Sequence, residues 1–258
     1  MSTPSPAPVA AMAGGAGGGK GKGDAPTTIQ PIRTLATPTA QAVRHTHPVL
    51  LLSLLLLRFK ALVADPVPTM CSALPVLAAV QVAYAVACLP PAGSQQQQGA
   101  KGAAARKRKP GSDASGPNVV VTALVALVLS ALATLALLAA FVLLGAPLLT
   151  HLPHTALCAA HLSVLALFPV LYARGLDGRA WLAVLGAAAP LDEAFGGLAG
   201  AVVGAWLGAV PIPLDWDRDW QRWPVTVLCG VFAGYALGKL VGGSPLAFGR
   251  RFGGAGSD

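Results

Sequence analysis

The sequence predicts an all-α polytopic membrane protein of about six transmembrane helices, with a disordered N-terminal tail and a disordered basic cytosolic loop. Two observations carry this. Of 258 residues, 54% are hydrophobic and 11% charged, whereas an average soluble domain carries about 25% charged residues. The apolar residues also arrive in blocks as long as 26 residues, and about 20 suffice to cross the hydrocarbon of a bilayer. Both argue against a soluble enzyme or a nucleic-acid binder, despite the formal charge of +8.

Residues 1–46 are rich in Gly, Ala, Pro and Thr, with glycines clustered from Gly14 to Gly19. No block there buries enough apolar surface to fold, so they read as a disordered tail. The tail lacks the charged start, apolar core and small-residue site of a cleaved signal. The membrane domain is expected over 47–245, with a C-terminal cytosolic tail over 246–258.

Six spans are expected. The first, 48–64, is a leucine-dominated run whose Arg58 and Lys60 lie near its far end, where long side chains can reach an interface. The second, 68–89, holds Pro75 and Gln81 but no charge. The third, 119–144, has only Thr122, Ser130 and Thr134 as polar side chains. The fourth covers 155–173, the fifth 194–210 and the sixth 225–241, with Lys239 expected to snorkel. The stretch 181–190 is apolar but short, and reads as interfacial or as a lead-in to the fifth span.

The loops set the orientation, because short loops rich in Lys and Arg stay cytosolic. Of 18 basic residues, 13 fall on one side: in the tail, the 91–117 loop with its Arg106–Lys109 run, at Arg174 and Arg179, and at Arg250 and Arg251. The other side holds Arg218 and Arg222. Both termini are therefore expected in the cytosol, and the loop after the fifth span on the lumenal or external side.

Two constellations stand out. Gly196, Gly200, Gly204 and Gly208 form a four-residue ladder in the fifth span; Gly230, Gly234, Gly238 and Gly242 form another in the sixth. Residues four apart share a helix face, and glycine admits close backbone approach where association in lipid depends on packing. The ladders pack on each other or on another subunit, and the short connection favours the first. The connection itself, 211–224, is dense in Trp and Asp. Trp216, Trp220 and Trp223 are spaced to line one face of a short helix at the membrane interface. Asp215, Asp217 and Asp219 alternate like the start of a calcium loop, but Trp220 stands where that loop needs Gly. Ion pairs of Asp215 and Asp219 with Arg222 or Arg218 are the favoured reading, and no metal site or cofactor is assigned. His151, His154 and His161 could project together from the fourth helix, without a nearby carboxylate or Cys to complete a metal set. Cys71, Cys88, Cys158 and Cys229 lack CxxC spacing and read as buried thiols. Asp192 and Glu193 complement the N-terminal dipole of the fifth span.

The run from Gly204, Gly-Ala-Trp-Leu-Gly-Ala-Val-Pro-Ile-Pro-Leu-Asp-Trp-Asp-Arg, followed by Trp220-Gln221 and Trp223-Pro224, resembles the signature of the PIG-F family of glycosylphosphatidylinositol (GPI) biosynthesis proteins. Gly145-Ala146-Pro147 and Gly234-Tyr235 match as well. The resemblance implies that Trp206 and Gly208 belong to a family helix element, and that Pro211, Pro213, Asp215, Trp216, Asp217, Arg218, Trp220, Gln221, Trp223 and Pro224 belong to its lumenal loop. Asp219 departs from the proline common there. The resemblance also implies a non-catalytic subunit of the endoplasmic reticulum membrane that stabilises ethanolamine phosphate transferases of the PIG-O and PIG-G types. Membrane lipid and GPI intermediates are the other expected contacts; nucleic acid is not. The alternatives are a chain that itself takes part in metal-dependent ethanolamine phosphate transfer, with Asp215 and Asp217 holding the metal, or a membrane lipid carrier.

Overall fold

The computed structural model describes residues 29–94, 117–214 and 216–252. The expected tail up to residue 28, nearly all of the basic loop, Asp215 and the last six residues lie outside the described residues. What is described is helical: α1 (Pro38–Ala64), α2 (Pro66–Cys88), α3 (Val119–Leu143), α4 (Leu152–Arg174), a short α5 (Gly178–Leu185), α6 (Glu193–Ala209) and α7 (Val225–Gly242).

Five of these, α1 to α4 and α7, are long and apolar enough to cross a membrane. The expected fifth span is the shorter apolar helix α6, 17 residues and about 25 Å long, one residue shorter than α7. It nevertheless lies along the whole of α7, from Asp192 beside Gly242 to Gly208 beside Thr226. The short apolar stretch near 181 forms α5, which buries Ala180 and Val184 and exposes Leu182 and Leu185.

The first helix begins at Pro38, ten residues before the expected start. Thr37 caps it, accepting a hydrogen bond from Ala40 N at 3.2 Å, and Pro38 occupies the first position, where a missing N–H costs nothing. Residues 29–37 are held as well. Ile32 N donates to Asp192 Oδ2 at 2.9 Å and Leu35 N to Cys88 O at 2.8 Å. The part of the expected tail from 29 to 46 is therefore ordered and packed. At the other terminus, Leu191 and the 249–250 backbone exchange two 2.7 Å hydrogen bonds.

Helices α1 and α2 turn about Asp65, and α2, α4 and α7 form the centre, burying Met70, Leu77, Leu165, Phe168, Val231 and Tyr235. Pro169 lacks the N–H that would bond Leu165 O four residues earlier. Here α4 loosens into a π segment at Ser163–Leu167, and Gln81 Nε2 on α2 donates to Leu165 O at 2.8 Å. α3 is peripheral. It packs through Ala123, Ala126 and Ser130, while Ser163 Oγ donates to Ser130 O at 2.6 Å and Val120, Leu124, Val128 and Leu132 face outward.

Candidate functional site

The bundle has a terminal end, where α1 starts and α7 finishes, and a loop end, where 210–224 joins α6 to α7. The seam between these two helices runs from one end to the other.

The glycine ladders meet each other. A methyl group on Gly204 would strike Gly230 O and lie 2.8 Å from its carbonyl carbon; one on Gly200 would strike Gly234 O; one on Gly196 would strike Gly238 O and lie 3.0 Å from Gly242 Cα. The reverse holds for Gly230, Gly234 and Gly238. The register is antiparallel, backbone against backbone. Tyr235 lies over Gly197, where a methyl would come 2.7 Å from its ring. Outside the seam, an apolar groove of about 810 Å³ follows the same glycines and ends at Pro211 and Trp220, with Phe59 of α1 on its wall.

At the loop end, Gln221 organises the chain. Its Nε2 donates to Pro211 O and Leu214 O, each at 2.5 Å, and its Oε1 accepts from Arg218 N at 3.3 Å. One buried amide thus ties both arms of the loop to the turn Asp219–Gln221. Asp217 has a left-handed backbone, φ 46°, which Asp tolerates better than most residues. Gln221→Ala should release three loop hydrogen bonds, at a cost of about 1–3 kcal/mol. Proteolysis at Arg218 and Arg222 should then quicken in the purified protein while the helical circular dichroism stays unchanged.

The three tryptophans do not line one face. Only three of the loop's described residues are helical, so the spacing expected of a longer helix does not apply. Trp216 and Trp220 sit together, ring centroids 5.8 Å apart, and both are exposed. Trp223 turns inward, edge-on to Phe141 of α3 at 6.1 Å, and its Nε1 donates to Thr155 Oγ1 at 3.1 Å. Trp223–Pro224 is a cis peptide. Trp206, on α6 above the loop, is 71% exposed. Pro213 and Arg218 are exposed and Pro224 buried. Asp219 pairs with Arg222 at 2.8 Å on the open surface; such pairs contribute little. His151 and His154 lie edge-on to each other, ring centroids 5.1 Å apart, but His161 lies apart, buried beside Phe232. No group of three or more metal-ligating side chains occurs among the described residues. Among the cysteines, Cys71 is exposed, against expectation, because it lies on the outward face of α2.

The terminal end holds a charged cluster that reading along the chain does not reveal. Glu193 is buried and pairs with Arg44; Tyr84 Oη donates to its Oε2 at 2.8 Å, and Lys239 Nζ lies 3.6 Å from the same oxygen. Lys239 does not snorkel. It is 2% exposed, sits 3.8 Å over the Tyr84 ring, donates to Arg44 O at 3.2 Å and lies 3.2 Å from His47 Nδ1. Beside it, Asp192 caps α6 by accepting from Phe195 N at 2.9 Å and pairs with Arg174 at 2.8 Å. Burial pushes its carboxyl up, against the pull of Arg174 and of the Ile32 and Phe195 N–H groups. The two acids do far more than complement a helix dipole. The signal in the sequence is proline: Pro48 inside α1 leaves Arg44 O without its helical donor, and Lys239 supplies one.

No solved structure matches the chain. The model of the GPI biosynthesis protein family Pig-F matches residues 46–243. The chain is 55% identical to glycosylphosphatidylinositol anchor biosynthesis protein 11 of Neurospora crassa, over 87% of this chain and 82% of that one. It is 40% identical to the protein of the same name in Aspergillus fumigatus, over 85% and 84% of the two chains. It is also 41% identical to the human protein called GPI ethanolamine phosphate transferase, stabilizing subunit, over 41% of this chain and 49% of that one. Matched across most of its length, with the glycine seam and the Trp/Asp loop inside the matched region, this multi-helix membrane chain belongs to the PIG-F family of GPI biosynthesis proteins.

Proposed function

We propose that this chain is a non-catalytic subunit of the endoplasmic reticulum membrane that binds and stabilises the ethanolamine phosphate transferases of GPI synthesis, those of the PIG-O and PIG-G types. The names carried by the human and fungal relatives support this reading. The observation that carries it is the loop end. Trp216 and Trp220 are exposed there, Trp220 at the end of the apolar groove, on a loop fixed by Gln221 and the inward Trp223, and Trp206 is exposed on α6 just before it. Large aromatic side chains on a rigid support are the usual anchors of an interface. The count of basic residues supports a lumenal loop end and cytosolic termini.

The test is affinity purification of the tagged chain from membranes. Trp206→Ala combined with Trp220→Ala removes two exposed indoles and should leave the chain's own level unchanged. Recovery of the large transferase subunit should fall about tenfold or more, since anchor residues are worth about 2 kcal/mol or more each. Full recovery of the transferase together with a loss of GPI-anchored surface protein would sink the docking reading.

A further inference from the structure

Two cavities of about 360 and 320 Å³ adjoin at the terminal end, between the start of α1, the N-terminus of α6 and the turn after α7. Arg44, Glu193, Gly243 and Pro245 border both; Arg33 lines the first and Lys239 the second. Among the described residues Glu193 is the one carboxylate on their walls, and it already serves two cations, Arg44 and Lys239. The neighbouring Arg174–Asp192 pair is closed on itself and supplies no further negative charge. Arg33 is exposed and has no ion-pair partner among the described residues. Three cations thus surround the cavities against one acid.

Part of that excess is met by backbone. Arg44 Nη2 donates to Gly243 O at 2.8 Å, and Lys239 donates to Arg44 O. Gly243 must be glycine for this, because a methyl there would lie 2.7 Å from Glu193 Cγ and 2.8 Å from Arg44 Nη2. Carbonyl dipoles do not replace a counter-ion, and with Glu193 shared between Arg44 and Lys239 the cavities keep a net positive field toward the accessible Arg33 and Arg44. The remaining walls mix apolar Ile32, Leu240 and Phe248 with polar Thr34, His45 and Ser244, and the site lies where membrane-crossing helices end. Basic pockets between such helices suit lipid headgroups.

We propose that these cavities bind a phosphate anion of the kind an anionic phospholipid headgroup presents, with Arg33 and Arg44 taking its oxygens and Lys239 supplying positive potential from beneath. The site is at the opposite end from the tryptophan loop and does not depend on the identity of any protein partner or on which leaflet that end faces.

The test uses the purified full chain in a zwitterionic detergent and follows its thermal unfolding midpoint with three probes: short-chain phosphatidylinositol, short-chain phosphatidylcholine and inorganic phosphate. Phosphatidylinositol should raise the midpoint in a saturable way and phosphatidylcholine should not. Arg33→Gln, an exposed change that leaves the core intact, should keep the unliganded midpoint while weakening the phosphatidylinositol response about tenfold, the loss of one charge-assisted contact. A matching response to inorganic phosphate supports the site and assigns its selectivity to the phosphate alone. No response to either anion, an equal response to phosphatidylcholine, or an undiminished response in Arg33→Gln overturns the proposal.

Discussion

Gly204→Leu is expected to remove the folded chain from the membrane, and to do so before any partner is involved. The sequence leaves two uses open for the ladders, contact with another subunit or contact with each other. The geometry decides for the second: even the first carbon of a side chain at Gly204 would strike the Gly230 carbonyl. No rotamer change relieves a clash between Cβ and backbone. The helices would have to separate along the seam, giving up contacts that in lipid come from packing alone. Overpacking of a core costs about 1–3 kcal/mol when side chains can shift; here neither backbone can, so the loss should reach at least about 3 kcal/mol, a large share of a typical total stability. Even Gly204→Ala should be strongly destabilising. Gly178→Ala is the matched control, since nothing lies within 4 Å of a methyl there and alanine favours a helix. The measurements are monodispersity of the solubilised chain and its unfolding midpoint. A Gly204→Leu chain that stayed folded but lost its transferase would return the ladder to the role of a subunit interface.

How far the sequence reveals this molecule depends on whether a feature is periodic or assembled from distant parts. The ladders recur every four residues, which is a property of one helix, so both they and their favoured mutual packing are legible along the chain. The helix-forming blocks are legible for the same reason. The expected first span opens at Pro48 because the apolar run does; the helix itself starts at Thr37-Pro38, a cap followed by proline at the first turn, and carries the more polar residues 38–47 ahead of that run. Inside the helix, Pro48 frees Arg44 O, and Pro169 frees Leu165 O in α4. In each case a donor from another helix, Lys239 or Gln81, takes the carbonyl. Those polar residues look incidental along the chain because their partners lie 195 and 84 residues away. The tryptophan face fails for a related reason: Gln221 folds the loop by bonding backbone on both sides of it, and a helical spacing rule has no purchase on a three-residue turn.

Glu193→Ala should be the most damaging change at the terminal end. The carboxylate is 4% exposed and is shared by Arg44, Lys239 and the Tyr84 hydroxyl. Removing it leaves Lys239 a buried ammonium with only neutral acceptors, and removing one partner of a buried ion pair typically costs about 3–5 kcal/mol. Lys239→Met alone should cost less. It removes the buried charge while keeping an apolar stem of similar length, although Arg44 O loses its donor. The double variant Glu193→Ala/Lys239→Met should therefore be more stable than Glu193→Ala by about 1 kcal/mol or more, because the stranded cation is gone. Chemical or thermal unfolding of the four proteins in one detergent reads the coupling directly. If the two changes simply add, Lys239 does not depend on Glu193, and the ion-pair account of this cluster fails. Rescue by Lys239→Met would mean that the cluster is held together by ion pairing across α1, α6 and α7. That pairing also pins the terminal ends of the glycine-packed helices to α1, so the seam and the cluster fix the same pair of helices, one by backbone contact and the other by charge.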